Sequence, residues 1–137
     1  MEKDKLSTDE TTLLVDLSEA TQAVKENRFD DALNLFEIIL KDHPDHIDSL
    51  YLAAVSARYL RKYEDSRSYI ESLLTNAPNM GRAYQELGHL NKAINSIDDA
   101  IGNYMQACEL IGGAGHWVQQ EKPEEVAKLL LNFLSKL

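Results

Sequence analysis

The sequence predicts an all-α protein made of three helix–turn–helix hairpins and closed by a C-terminal helix. Pro44 and Pro78 lie 34 residues apart, and each follows a polar stretch that would end a helix. Small residues recur with the same period at two sites, and large apolar residues recur at two others. The small sites are Ala20, Ala54 and Gly88 with Ala32, Ser66 and Ala100, and the large sites are Phe29, Tyr63 and Ile97 with Phe36, Ile70 and Tyr104.

This period, with its alternation of small and large residues, resembles the tetratricopeptide repeat (TPR), a helix–turn–helix unit of solenoid proteins. The resemblance covers about residues 13–111 and implies repeats at 13–46, 47–80 and 81–111. Residues 1–12 would then be a tail and the start of the first helix. Residues 112–122 would form a glycine-rich loop, and residues 123–137 a capping helix that covers the last repeat. The third repeat departs from the pattern, since Gly112 stands in place of the proline.

Each helix has a local signal. The first helices are expected over about 8–26, 47–60 and 80–94, and the second helices over about 29–42, 63–76 and 97–111. The apolar residues of the first helix recur three and four apart, as on one helical face: Leu13, Leu14, Leu17, Ala20, Ala23 and Val24. Each second helix opens with two acidic residues, which the helix dipole favours: Asp30 and Asp31, Glu64 and Asp65, Asp98 and Asp99.

Composition narrows the function. The net charge of −9 disfavours nucleic acid and anionic membranes as partners. The single cysteine, Cys108, rules out a disulfide framework and a cysteine-rich metal site. The N-terminal segment lacks the apolar stretch of a signal peptide, and no run of about 18 apolar residues occurs. We therefore expect a soluble, cytoplasmic protein without a cofactor.

The resemblance also implies where a partner would bind. In TPR proteins the first helix of each hairpin lines a concave groove, and the matching positions here include four cations and only one anion, Asp48. The groove is thus expected to be basic and to bind an extended, acidic segment of a protein or peptide. The alternative is that these are ordinary solvated side chains. The expected partner-binding residues are Lys25, Tyr51, Val55, Arg58, Tyr59, Arg82, Gln85, His89 and Lys92.

One known mode of TPR recognition is not expected. Members that grip the terminal carboxylate of heat-shock chaperones use a clamp of basic residues and asparagine. The clamp positions of the first two repeats are occupied here by Leu17, Thr21 and Leu52. Only Arg82 fits the third-repeat part of the clamp, so recognition of a chaperone tail is disfavoured.

Two further resemblances define alternatives. Residues 113–137 are similar to the C-terminal end of α/β-hydrolases, the epoxide-hydrolase and dehalogenase group, in which His116 would be the general base. The chain has no nucleophile elbow for it to activate, so no catalytic residue is expected and the segment would be an inactive remnant. The run GRAYQELGH at 81–89 is similar to TPR segments of bacterial sulfotransferase proteins, which implies an accessory domain as a second alternative.

The sequence HPDH, which contains His43 and His46, is the remaining candidate for chemistry. With Asp42 and Asp45 it has the residue types of a metal site. Turn residues of this kind usually face water, so no metal site is expected.

Overall fold

The computed structural model of the protein describes residues 8–112, and their regular structure is entirely α-helical. This confirms the predicted all-α class of helix–turn–helix repeats, and the helix ends lie within one residue of those expected. The expected loop at 113–122 and capping helix at 123–137 lie outside the described residues. The six helices are α1 (Thr8–Lys25), α2 (Phe29–Asp42), α3 (Ile47–Tyr59), α4 (Tyr63–Asn76), α5 (Gly81–Ala93) and α6 (Ile97–Gly112).

The chain divides into two compact units. The first, Met1–Asn76, contains α1 to α4, and the second, Ala77–Leu137, contains α5 and α6. Gly112, assigned to the loop from the sequence, is the last residue of α6. The division into repeats at 46/47 and 80/81 stays a prediction.

The turns inside the three hairpins have one conformation. The residue in the left-handed region is Asn27, Arg61 or Asn95, with φ of 61°, 64° and 64°. These positions reproduce the 34-residue period of the sequence. In each turn the next residue donates its N–H to the carbonyl five residues earlier, which is the Schellman way of ending a helix. The bonds are Arg28 to Ala23 (2.8 Å), Lys62 to Ala57 (2.8 Å) and Ser96 to Asn91 (2.7 Å).

Arg61 is the exception among the three turn residues. Asparagine tolerates the left-handed conformation because its short polar side chain bonds locally. For other residues the contact of Cβ with the following carbonyl oxygen costs roughly 1–2 kcal/mol. The backbone of the second turn therefore carries more strain than those at Asn27 and Asn95.

The core of unit 1 is built by α1, α2 and α3, and small residues let these helices approach closely. Phe36 fills the space between them and is fully buried. The predicted small sites at Ala54 and Ser66 are in contact, since the Ser66 hydroxyl donates to the Ala54 carbonyl at 2.9 Å. The core cluster comprises Ala20, Ala23, Ala32, Leu33, Phe36, Ile39, Ala53 and Ala57.

The predicted apolar face of α1 is wrong at one position. Leu14 is 55% exposed, whereas Leu13 and Leu17 pack against the core. The buried stripe of α1 is therefore narrower than the run of apolar residues, because a helix that packs against one side of a small core buries only part of its circumference.

In unit 2 the two helices pack through glycine. A Cβ at Gly88 would lie 2.7 Å from the Tyr104 ring, and a Cβ at Gly81 would collide with the Ile111 side chain. Larger residues at these positions would push α5 away from α6. Gly102 is different, since a Cβ there would have no neighbour within 4 Å.

Two buried serines of unit 1 differ in the bonding of their hydroxyls. Ser56 and Ser66 are both fully buried, and the Ser66 hydroxyl is bonded, whereas that of Ser56 has no partner among residues 8–112. Between α2 and α4, Tyr69 donates to Glu37 at 3.3 Å. Burial, followed by the negative charge of Glu37, raises the pKa of Tyr69 to about 12.

The two glycines inside helices of unit 2 provide a test of the packing. We expect Gly102→Ala to raise the free energy of unfolding by about 0.5–1 kcal/mol, because alanine restricts the unfolded chain and meets no neighbour. Gly88→Ala should lower it by about 1–3 kcal/mol, because the new methyl group meets Tyr104. Urea denaturation followed by circular dichroism measures both. A Gly88→Ala variant as stable as wild type would contradict the packing of α5 on α6.

The two buried serines provide a second test. Ser56→Ala should stabilise unit 1 by about 1 kcal/mol, because it removes a buried hydroxyl without a hydrogen-bond partner. Ser66→Ala is the matched control and should destabilise by about 1 kcal/mol, because the bond to the Ala54 carbonyl is lost. The measurement is the midpoint of urea unfolding for each variant. Destabilisation by both substitutions would mean that the Ser56 hydroxyl is satisfied.

Candidate partner-binding faces

Three of the expected binding residues form one face of α3 in unit 1. Tyr51, Val55 and Arg58 are half-buried and lie four and three residues apart, so they share one side of that helix. We call Tyr51, Val55 and Arg58 the α3 face. Lys25 is exposed in the last turn of α1, which packs against the same core.

Tyr59 has a different environment from the α3 face. Its ring stacks on Phe29 at the start of α2, with ring centroids 4.4 Å apart and planes 3° apart. The guanidinium carbon of Arg58 lies 4.7 Å from the centre of the same ring. Tyr59 is still 56% exposed, so this packing fixes the ring without burying it. Phe29, one of the recurring large apolar residues, is only half-buried and supports Tyr59.

The remaining expected residues form a stripe on α5 in unit 2. Arg82, Gln85, His89 and Lys92 recur three and four residues apart, and Arg82 and Lys92 are exposed. We call these four residues the α5 stripe. His89 is held from within unit 2, since its Nδ1 lies 2.6 Å from the Tyr104 hydroxyl and the two rings pack edge to face.

The helix dipole favours some of the cations among the expected binding residues and disfavours another. Lys25, Arg58 and Lys92 each lie in the last turn of a helix, where the helix dipole favours positive charge. Arg82 lies in the first turn of α5, which has no acidic residue. The dipole disfavours a cation there by about 0.3–1 kcal/mol. Helix stability therefore accounts for the first three cations and not for Arg82.

The HPDH segment has a structural role. His46 is half-buried and caps α3, because its Nδ1 accepts the N–H of Ser49 at 3.2 Å and lies 2.8 Å from the Ser49 hydroxyl. His46 is therefore only partly exposed to water, and its ring holds the start of α3. Within residues 8–112, no group of three or more histidine, cysteine or acidic side chains is placed to hold a metal ion.

No nucleophile of hydrolase type is apparent in the hairpins. Cys108 is half-buried, and burial raises the pKa of its thiol, which disfavours the thiolate. His116, the residue matched to a hydrolase base, lies outside the described residues. None of the helices in the 8–112 region is long and apolar enough to cross a membrane.

Comparison with solved structures identifies the fold. The chain matches the TPR2B domain in a complex of yeast Sti1 with pHsp70, with a TM-score of 0.77 and 12% identity over 93% of this chain and 99% of that one. It matches the first TPR of Spaghetti (RPAP3), bound to the HSP90 peptide SRMEEVD, with a TM-score of 0.72 and 16% identity over 91% and 94%. A match to MamA of MSR-1 (TM-score 0.69, 17% identity) covers 74% of this chain and 59% of MamA.

A different similarity concerns a short part of the chain. Epoxide hydrolase B of Mycobacterium tuberculosis, in two strains, is 44% identical over 46 residues. This match covers 34% of the chain and only 13% of the enzyme. The chain therefore spans about an eighth of that relative. A match of this length does not cover a whole hydrolase fold.

A match to a known family covers most of the first four helices. A family model described as tetratricopeptide repeat matches residues 17–80, from within α1 to the residue before α5. The solved structures above share the same fold at low identity. The described chain thus has the TPR fold, and its residues 17–80 match the model of the tetratricopeptide repeat family.

Proposed function

We propose that this chain is a non-catalytic protein-interaction module whose first helices bind an extended, acidic segment of a partner protein. The observation that carries the proposal is the set of cations on two first helices, Arg58 on α3 and the exposed Arg82 and Lys92 on α5. Guanidinium and ammonium groups bind carboxylates through charge-assisted hydrogen bonds, which is the chemistry that an acidic segment offers.

The distribution of charge along the chain supports this partner class. The second helices open with exposed acidic pairs. Taken together, α3 and α5 carry more cations than anions. The cations are Arg58, Arg82 and Lys92, and the anions are Asp48 and the buried Glu86. In a chain of net charge −9, α3 of unit 1 and α5 of unit 2 each offer an acidic segment complementary charge.

The α3 face adds apolar contact to this charge. Tyr51 and Val55 are half-buried, so part of each side chain remains available to a partner. Tyrosine offers a large apolar ring with a polar end, which is why it is common at the centre of interfaces. A partner segment would thus combine acidic residues with at least one apolar residue.

The partner segment is proposed to be internal rather than a chain end. The first TPR of Spaghetti (RPAP3) binds the peptide SRMEEVD, which is acidic near its carboxyl end. The clamp positions in the present chain are Leu17, Thr21 and Leu52, which are half-buried and carry no charge. A terminal carboxylate would find no charge-assisted partner at these three positions.

A location in the cytoplasm stays a prediction.

Charge reversal tests the proposal. Arg58→Glu and Arg82→Glu should each weaken binding of a fluorescein-labelled, glutamate-rich peptide with a central leucine. Exposed ion pairs contribute about 0.2–1 kcal/mol each, so reversal should weaken binding by roughly two- to tenfold at low salt. The difference should shrink as ionic strength rises. Fluorescence anisotropy measures the affinities.

Lys41→Glu is the matched control for these variants. Lys41 is also exposed in the last turn of a helix, but it lies on α2 outside the α3 face. Its reversal should change the affinity by less than about twofold, the lower end of the effect of one exposed ion pair. Amidation of the peptide's carboxyl end should have no effect on binding to wild type. Equal loss of affinity for Lys41→Glu and Arg58→Glu would show that only net charge matters.

The short likeness to epoxide hydrolase B calls for a separate test. We expect no hydrolysis of styrene oxide or p-nitrophenyl acetate above the buffer rate, because a histidine base needs a nucleophile and an orienting acid. Product formation by wild type and His116→Ala should be the same. Turnover by wild type that disappears in His116→Ala would overturn the non-catalytic assignment.

A further inference from the structure

We propose that the turn between α3 and α4 extends the α3 face, so that the partner's acidic segment continues over Tyr59 onto Arg61 and Lys62. We call Arg61 and Lys62 the basic turn. This inference rests on the proposed function, since it concerns the same acidic partner. It adds a binding surface and a minimum length for the segment.

The first argument is that the fold does not require arginine at position 61. The three turns have the same backbone conformation and the same helix-ending hydrogen bonds. Asn27 and Asn95 reach this conformation with a residue suited to it, whereas Arg61 reaches it with strain. Strained residues are concentrated at sites where another requirement outweighs stability.

The second argument is that the charges of the basic turn are not used locally. Arg28, the counterpart of Lys62 in the first hairpin, binds Glu26 at 2.8 Å and Asp31 at 3.0 Å. Ser96, the counterpart in the third hairpin, hydrogen-bonds to Asp99 at 2.7 Å.

In contrast, the side chains of Arg61 and Lys62 are exposed and have no hydrogen-bond or ion-pair partner in the described part of the chain. Glu64 and Asp65 follow in the first turn of α4, where the helix dipole favours them. They form no ion pair with the basic turn, so its two cations remain available to a ligand.

The third argument is continuity with the α3 face. Arg58 ends that face, and its guanidinium lies over the ring of Tyr59. Phe29 holds the same ring by stacking, so Tyr59, two residues before Arg61 in the chain, presents a largely fixed aromatic surface. A fixed ring loses little side-chain entropy when a partner covers it.

The length of the partner segment follows from these positions. Tyr51 and Arg58 are about 10 Å apart along the helix axis, which about three extended residues span. Reaching the basic turn requires roughly three or four more residues. The proposed ligand is therefore an acidic peptide of about eight residues or more, whereas a peptide of about four fills only the α3 face.

The test transfers the third turn into the second. The double variant Arg61→Asn with Lys62→Ser creates the pair found in the third turn, so the backbone conformation is kept. Its affinity for a glutamate-rich peptide of about ten residues should fall roughly three- to tenfold, as expected for two lost ion pairs. Its affinity for the four-residue version should not change. Its midpoint of urea unfolding should equal or exceed that of wild type.

Comparison with Arg58→Glu separates the two proposals. Arg58→Glu could weaken the binding of both peptides while the double variant weakens the binding of neither. The basic turn would then be excluded as a binding surface, and the proposal for the α3 face would stand. If neither variant changes the affinity for either peptide, both proposals for unit 1 fail. A double variant less stable than wild type would contradict the strain at Arg61. Arg61→Lys, which keeps the charge, should bind the long peptide within about twofold of wild type.

Discussion

The close approach of the two helices in each hairpin is the constraint on which the rest of this structure depends. In the second hairpin the hydroxyl of Ser66 reaches the backbone carbonyl of Ala54, and in the third Gly88 lies against the ring of Tyr104. Such contact is possible only where the facing side chains are small. The tyrosine and the charge of α3 border this contact, since Tyr51 and Arg58 lie three and four residues from Ala54 on the same helix.

The same hairpin geometry produces the charge pattern. Each first helix has a cation in its last turn, and the second helix that follows begins with acidic residues. The helix dipole favours both charges at these ends. Cations and anions are thereby separated along the chain by a few residues. Two residues depart from what the local structure favours. Arg82 is a cation at the start of a helix, where the dipole disfavours positive charge, and Arg61 is an arginine in the left-handed conformation. Arg82 belongs to the α5 stripe, and Arg61 follows the α3 face by three residues in the chain.

The period of the sequence predicted the helices well because it reflects spatial contacts. The prolines and the small residues at Ala20, Ala54 and Gly88 recur where the backbone turns or approaches another helix. Their positions therefore fixed the helix ends to within one residue. The left-handed turn residues have the same spacing. Asn27 and Asn95 could have been predicted as such because asparagine tolerates this conformation, but an arginine at position 61 does not indicate it.

Side-chain partners were less predictable. A repeat period places a residue around a helix, but it does not say which neighbour the side chain meets. The stacking of Tyr59 on Phe29 depends on how the start of α2 meets the end of α3, and the cap made by His46 depends on its rotamer. Leu14 was misplaced because apolar character alone does not distinguish the buried stripe from its exposed edge. The binding residues remain a proposal for the same reason.

The turns also have a consequence for how fast the chain folds. The widest separation among the side-chain hydrogen bonds described above is the 32 residues between Glu37 and Tyr69, and the helix-ending bonds of the turns span only five. Closing such short loops costs little entropy, and helical chains with low contact order fold in roughly microseconds to milliseconds. Each hairpin can therefore form its own nucleus as soon as its turn closes. The strained turn at Arg61 would then make the second hairpin the slowest of the three to nucleate.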